Sequence, residues 1–173
     1  MQIRRKPFFL SLFIVDLLVL VVMVYLTAFF VTAADQATVT ASVTVQSISL
    51  TVTDGGVTYG VMALNTEKAT TAGELNDSQT ATNTGNVNED FNIVGQNTTD
   101  WTLAGTAGSE QYVHNFSING GGAWTPLTLL NQALATGKAP AGTQVFDLKI
   151  HTPTATTHFT SQSADVSVQA SAS

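Results

Sequence analysis

The chain contains no cysteine in 173 residues. That absence excludes disulfide bridges, thiolate zinc sites, iron–sulfur clusters, a cysteine nucleophile and a lipid-bearing N-terminal cysteine. Charge is also scarce, at 10% of residues, and proline occurs four times. Beyond residue 33 the basic side chains are Lys68, Lys138 and Lys149, against eleven acids, for a formal charge of about −8. Three scattered lysines make no basic stripe to neutralise phosphates, so the composition argues against nucleic-acid binding. The length suits one domain.

What is present divides into two unlike parts. Arg4, Arg5 and Lys6 precede Pro7 and then a 24-residue run, Phe8 to Val31, that is apolar apart from Ser11, Asp16 and Thr27. As a helix rising 1.5 Å per residue, the run would measure roughly 36 Å, enough to cross a hydrocarbon core of about 30 Å. An uncleaved membrane anchor is one reading. Asp16 supports the other, because a charge at mid-bilayer costs roughly 2.5–3.5 kcal/mol and Leu17 to Val31 has the length of a signal-peptide core. Val31-Thr32-Ala33 then offers the small residues that signal peptidase requires, with cleavage before Ala34. Both readings export the chain, so the membrane is a partner at least during export. The basic residues ahead of the apolar run leave the C-terminal part outside. Pro7 stands where a twin-arginine signal has Phe. The run Phe13-Ile14-Val15-Asp16-Leu17-Leu18-Val19 resembles the start of type IV pilin-like subunits, with Asp in place of their Glu and no Gly before a processing site. The chain thus divides into a signal peptide or signal-anchor helix over 1–33, a spacer or first strand over 34–46 and a β domain over 47–173.

From Ala34 onward there are 25 threonines, and valine is frequent; both residues favour strands. Val39, Ala41, Val43 and Val45 alternate at period two, after which the phase slips to Ile48, Leu50 and Val52. A bulge or kink near Gln46-Ser47 is needed for both halves to bury one face. Asp54-Gly55-Gly56 predicts a turn, 57–62 a short returning strand and 64–77 a polar loop. Further strands are predicted over 78–83, over 90–95 with Phe91 and Ile93 inward, near 101–103 and over 112–118. Two more cover 143–151, with Phe146, Leu148 and Ile150 on one face, and 163–171, with Ala164, Val166, Val168 and Ala170 on one face. Thr125-Pro126 is expected to open one helical turn carrying Leu127, Leu130 and Leu134. Seven to nine short strands without another helix-length segment predict an all-β fold, a single antiparallel β-sandwich behind one N-terminal hydrophobic helix. Tyr59, Phe91, Trp101, Tyr112, Phe116, Trp124, Phe146 and Phe159 are its expected core aromatics.

Chemistry is hard to find in these residues. His114 shares strand parity with Tyr112 and Phe116 and reads as a packed histidine. His151 and His158 flank a loop that would let them approach each other, yet as a metal pair they lack a close third ligand. No His-Glu-x-x-His, Gly-x-Ser-x-Gly or phosphate-binding glycine loop occurs, so neither an enzyme nor a cofactor is expected. Asn83, Asn86, Asn88, Glu89 and Asp90 concentrate oxygen ligands beside a turn, as a Ca²⁺ loop would, although the same residue types are ordinary turn formers. Asn76, Asn97 and Asn115 begin N-glycosylation tripeptides.

The segment 82–93, with Asn83-Thr84-Gly85-Asn86, and the later unit 142–153, running from Gly142-Thr143 through a strand to Pro153, are similar to a known pattern. They resemble turns of immunoglobulin-like sandwiches in prokaryotic cell-surface proteins, including camelysin-like biofilm fibre subunits and surface-layer-associated modules. The resemblance spans roughly 80–170 and implies an immunoglobulin-like sandwich with an extracellular structural or adhesive role. Three functional readings stand at this point. The first is a non-enzymatic surface or secreted domain whose uncharged sheet edges pair with itself or other surface proteins. The second is a pilin-like subunit retaining its N-terminal helix. The third is a carbohydrate-binding module using Trp101 or Trp124 as a platform.

Overall fold

The computed structural model describes residues 8–28 and 36–173, with helix side chains described from 13 to 25. The expected cleavage residues Val31, Ala33 and Ala34 lie outside the described residues, as does the side chain of Phe8. The chain forms two compact units, Met1–Val43 and Thr44–Ser173.

The first unit holds α1, Phe8–Ala28. Its sequence is apolar all round apart from Ser11, Asp16 and Thr27, so no amphipathic face explains it. The side chains from Phe13 to Tyr25, Asp16 included, are exposed. Among the described residues no helix is long and apolar enough to cross a membrane. Residues 36–43 follow without regular secondary structure. Val39 and Val43 are 90% and 91% exposed. The sequence leaves this stretch as a spacer or a first strand; a strand exists only against a partner, and no described strand pairs with residues 36–43.

The second unit is mostly β, with ten strands in two sheets. They are β1 (Leu50–Thr53), β2 (Glu67–Ala69), β3 (Gln79–Asn83), β4 (Glu89–Val94), β5 (Thr102–Leu103), β6 (Gln111–Ser117), β7 (Thr125–Pro126), β8 (Gln132–Lys138), β9 (Thr143–His151) and β10 (Ser167–Ala172). The larger sheet runs β1-β3-β9-β6-β5, with β2 also on β9 and β7 on β6; the smaller runs β10-β4-β8. β2 and β3 occupy successive stretches of β9, Ala69 opposite Lys149 and Gln79 opposite Phe146. They therefore act as one strand interrupted by an excursion over 70–78. Thr70 bridges the gap, its N–H donating to Leu148 O and its Oγ1 accepting from Leu148 N. Buried Asp147 closes the excursion by accepting from Thr70 Oγ1 at 3.1 Å and Ser78 Oγ at 2.6 Å.

Five expectations are corrected here. The sheets are not purely antiparallel, because β5 runs parallel to β6. A two-residue strand permits this: the loop 104–110 can carry the chain back to its start, whereas a longer parallel pair needs a crossover. Residues 57–62 are irregular rather than a strand, and the predicted polar loop contains β2. The expected helical turn is absent. Thr128 Oγ1 accepts from Leu130 N and Gln132 Oε1 from Thr128 N, which forms a turn instead. Leu127 is buried from the loop after β7 and Leu134 from β8, and Leu130 is 77% exposed. Phe159 is no core residue, at 81% exposed.

One apolar cluster joins both sheets. β4 contributes Phe91 and Ile93, β8 Leu134, β9 Phe146 and Leu148, β6 Tyr112 and Phe116, and β3 Ala81. These residues sit at alternate positions of their strands, which is why period two was a sound guide. Burying each large side chain contributes about 1.5–3 kcal/mol.

Candidate functional site

Three features of the β unit have the geometry of sites. The first surrounds the oxygen-rich turn at 83–90. Asn86 treats the chain at 45–47 as a strand partner. Its Oδ1 accepts from Ser47 N at 2.8 Å, its Nδ2 donates to Val45 O at 2.9 Å, and its backbone N–H donates to Ser47 O. Thr84 N and Gly85 N donate to Ser49 O, while Glu89 Oε1 accepts from Ser49 N at 2.9 Å. Gly85 is required, since a Cβ there would meet Glu89 Oε1 and Ser47 O at 2.4 Å. Asn83, fully buried, donates to Val87 O and Lys138 O and accepts from Gly85 N. Of the candidate calcium ligands, Asn83 Oδ1, Asn86 Oδ1 and Glu89 Oε1 accept from the protein's own backbone. Asp90 faces the other side of β4 from buried Glu89, accepting from Gly137 N and Ser173 Oγ. Those bonds hold its carboxyl below the usual range. Asn88 is exposed, and Ser173 N donates to its carbonyl. Glu89 Oε2 is the buried side-chain polar atom left without a partner among the described residues.

The second feature is an edge. β10 pairs with β4 in six unbroken registers on one side, and no described strand pairs with its other side. Its sequence, Ser-Val-Gln-Ala-Ser-Ala, has no charge and no proline, so nothing guards the edge. β8, at the opposite edge of that sheet, is blunted by register shifts, by Gly137 at φ 60° and by Lys138. β10 lies beside β1, the edge of the larger sheet. Leu50, Val52, Val57, Val166, Val168 and Ala170 are only partly buried there.

The third feature is a polar cleft of about 380 Å³ on the outer face of β2, β9 and β6, walled by 105–107. Antiparallel register puts Glu67, Lys149, His151, Val113 and Asn115 on that face. Lys149 Nζ lies 2.8 Å from Glu67 Oε2 and 5.2 Å from the centroid of the Trp124 ring. His151 Nδ1 is 3.4 Å from Glu67 Oε1, and its Nε2 is 3.1 Å from Asn65 Oδ1.

Compared with known proteins, the chain matches no family model, no curated protein and no solved structure. The site must therefore be read from its own chemistry. His151 and His158 do not share a site: His158 Nδ1 lies 3.6 Å from Asp100 Oδ1, a different carboxylate. Among the described residues no cluster of three His, Cys, Asp or Glu side chains could hold a metal ion.

His114 is buried, with Nε2 2.9 Å from Tyr59 Oη. Burial depresses its pKa to about 4 and raises that of Tyr59. The imidazole is then neutral at pH 7 and shares a hydrogen bond with the protonated Tyr59 hydroxyl. Neither tryptophan forms an open platform. Trp101 packs against the core and donates Nε1–H to Thr156 Oγ1, and Trp124 is half-buried under Lys149. Asn115, the start of a glycosylation tripeptide, is buried in β6 and so closed to a modifying enzyme.

Proposed function

We propose that this chain is an exported, non-enzymatic structural protein of the cell surface. In this reading its two sheets pack as an immunoglobulin-like sandwich, and residues 37–46 add as a strand to the β10 edge of a neighbouring copy. The observation that carries the reading is the segment itself. Residues 36–46 carry no charge, alternate Val39, Ala41, Val43 and Val45 with polar residues, and are exposed. Exposed alternation of this kind is a strand without a sheet. Asn86 and the 84–89 turn hold its base extended, which lowers the entropy lost when it pairs. The β10 edge accepts such a strand, and the valines would cover the half-buried aliphatics between β10 and β1. The apolar run 8–31 supports export, as leader or as anchor.

The test is the state of the full chain recovered from its producing cells. Sedimentation is expected to find it polymeric, and Val39→Asp with Val43→Asp to leave monomers with unchanged circular dichroism. A wild-type chain that stays monomeric at every concentration overturns the reading. N-terminal sequencing of the same material distinguishes a start at Ala34 from a retained helix.

A further inference from the structure

The polar cleft contains a group the fold does not use. Asn115 is 7% exposed and lines the cleft, and its side-chain amide has no hydrogen-bond partner among the described residues. Neither amide atom is itself sealed from solvent, so each can be hydrated as it stands and can bond a ligand that replaces that water. The cleft that Asn115 lines is where such a ligand would meet it. The surrounding groups are already positioned. Lys149 is pinned between Glu67 and the Trp124 ring, and His151 between Glu67 and Asn65.

We propose that this cleft binds a neutral saccharide, with the Asn115 amide as its central hydrogen-bonding group. The charges argue for neutrality, since the Lys149 ammonium and the Glu67 carboxylate cancel at 2.8 Å and leave no net field to select an ion. The donor and acceptor mix argues for hydroxyls. A sugar hydroxyl donates and accepts at once, so neighbouring hydroxyls can donate to Glu67 oxygens while accepting from Asn115 and Lys149 N–H groups. Val113 and Ala107 supply apolar wall for the C–H face of a ring, and Gly105 leaves the opening wide. The volume is at the small end for ligand sites, with room for about one or two pyranose rings. The proposal is independent of strand addition.

The test is a titration of the full chain in detergent with glucose, galactose and N-acetylglucosamine, followed by ¹H–¹⁵N spectra and Trp124 fluorescence. At least one sugar is expected to move the Asn115 side-chain amide and the backbone signals of Thr106 and Lys149 in a saturable way, with dissociation constants on the order of millimolar. Asn115→Leu is expected to weaken binding about tenfold or more. It should leave the unfolding midpoint unchanged or raised, because the amide supports no intramolecular bond. Asn115→Ser is the second variant, smaller and unable to overfill the site, with the same expected loss. Three outcomes would overturn the proposal: no sugar shifts these signals, binding survives both variants, or only charged sugars such as glucuronate bind.

Discussion

Acid should weaken this protein through one histidine, in a pH window that the structure sets. His114 is buried against Tyr59, and its folded pKa is about 4 against 6.5 for the free side chain. Well above pH 6.5 the imidazole is neutral in both states and contributes nothing to pH dependence. Below about 6.5 the unfolded chain takes up a proton that the folded chain refuses, so stability falls with pH until about pH 4, where the folded state protonates as well. A folded pKa of about 4 in place of 6.5 corresponds to about 3 kcal/mol lost across that window. This is a large part of the stability of a small domain. Asp90 and Glu110 also act in acid, but hydrogen bonds hold their folded pKa values below the ordinary carboxylate range, so their contributions vanish at lower pH. The assay is denaturant unfolding of the full chain at pH 7.5, 6, 5 and 4, followed by Trp101 and Trp124, the two tryptophans, both in the β unit. His114→Gln keeps an acceptor for the Tyr59 hydroxyl and removes the titration, so its stability should be flat where the wild type declines. Equal slopes for the two proteins between pH 6.5 and 4 would refute the reasoning.

Other perturbations test single contacts. Asp147→Ala strands the hydroxyls of Thr70 and Ser78 that hold the 70–78 excursion; the expected loss is about 1–3 kcal/mol, read from the unfolding midpoint. Gly85→Ala forces a Cβ against Glu89 Oε1 and Ser47 O, and should abolish hydrogen-exchange protection at Ser47 and Ser49 while sparing Phe91 and Ile93. Phe91→Ala should cost about 3–5 kcal/mol by calorimetry, since its ring is fully buried in the shared cluster. Ser167→Lys with Ser171→Lys guards the β10 edge with charge, and should block assembly without lowering the melting temperature.

Much of the β unit is legible in period two. Phe91 and Ile93, or Phe146 and Leu148, alternate because each strand buries one face, and that regularity survives without knowledge of partners. Pairing is less legible. Thr70 and Asp147 stand 77 residues apart, and nothing local marks them as the two sides of an interrupted strand. The parallel β5 is too short to carry a pattern. At 36–46 the alternation is real, yet no described strand pairs with it within the chain, because propensity prepares a strand and only a partner makes one. Residue type alone leaves the 83–90 turn open between a cation loop and an ordinary turn. Asn83, Asn86 and Glu89 are oxygen-rich, as a cation loop is, but their oxygens and amides bond backbone 2 to 55 residues away. Asn115 begins a glycosylation tripeptide, which says nothing of the cleft: the register of β6 against β9 is what brings it beside Lys149 there.

The central claim, that 37–46 of one copy joins the β10 edge of another, is most directly tested by cross-linking, and the cysteine-free chain suits it. Thr40→Cys, Ser42→Cys and Thr44→Cys variants would each be mixed with a differently tagged Gln169→Cys chain under mild oxidation. At least one mixture should give a disulfide-linked heterodimer in high yield, because only a paired strand brings Cβ atoms within about 4.5 Å. If none of the three links to position 169, or linkage is no faster than for a cysteine on β8, the segment does not pair there and the account fails.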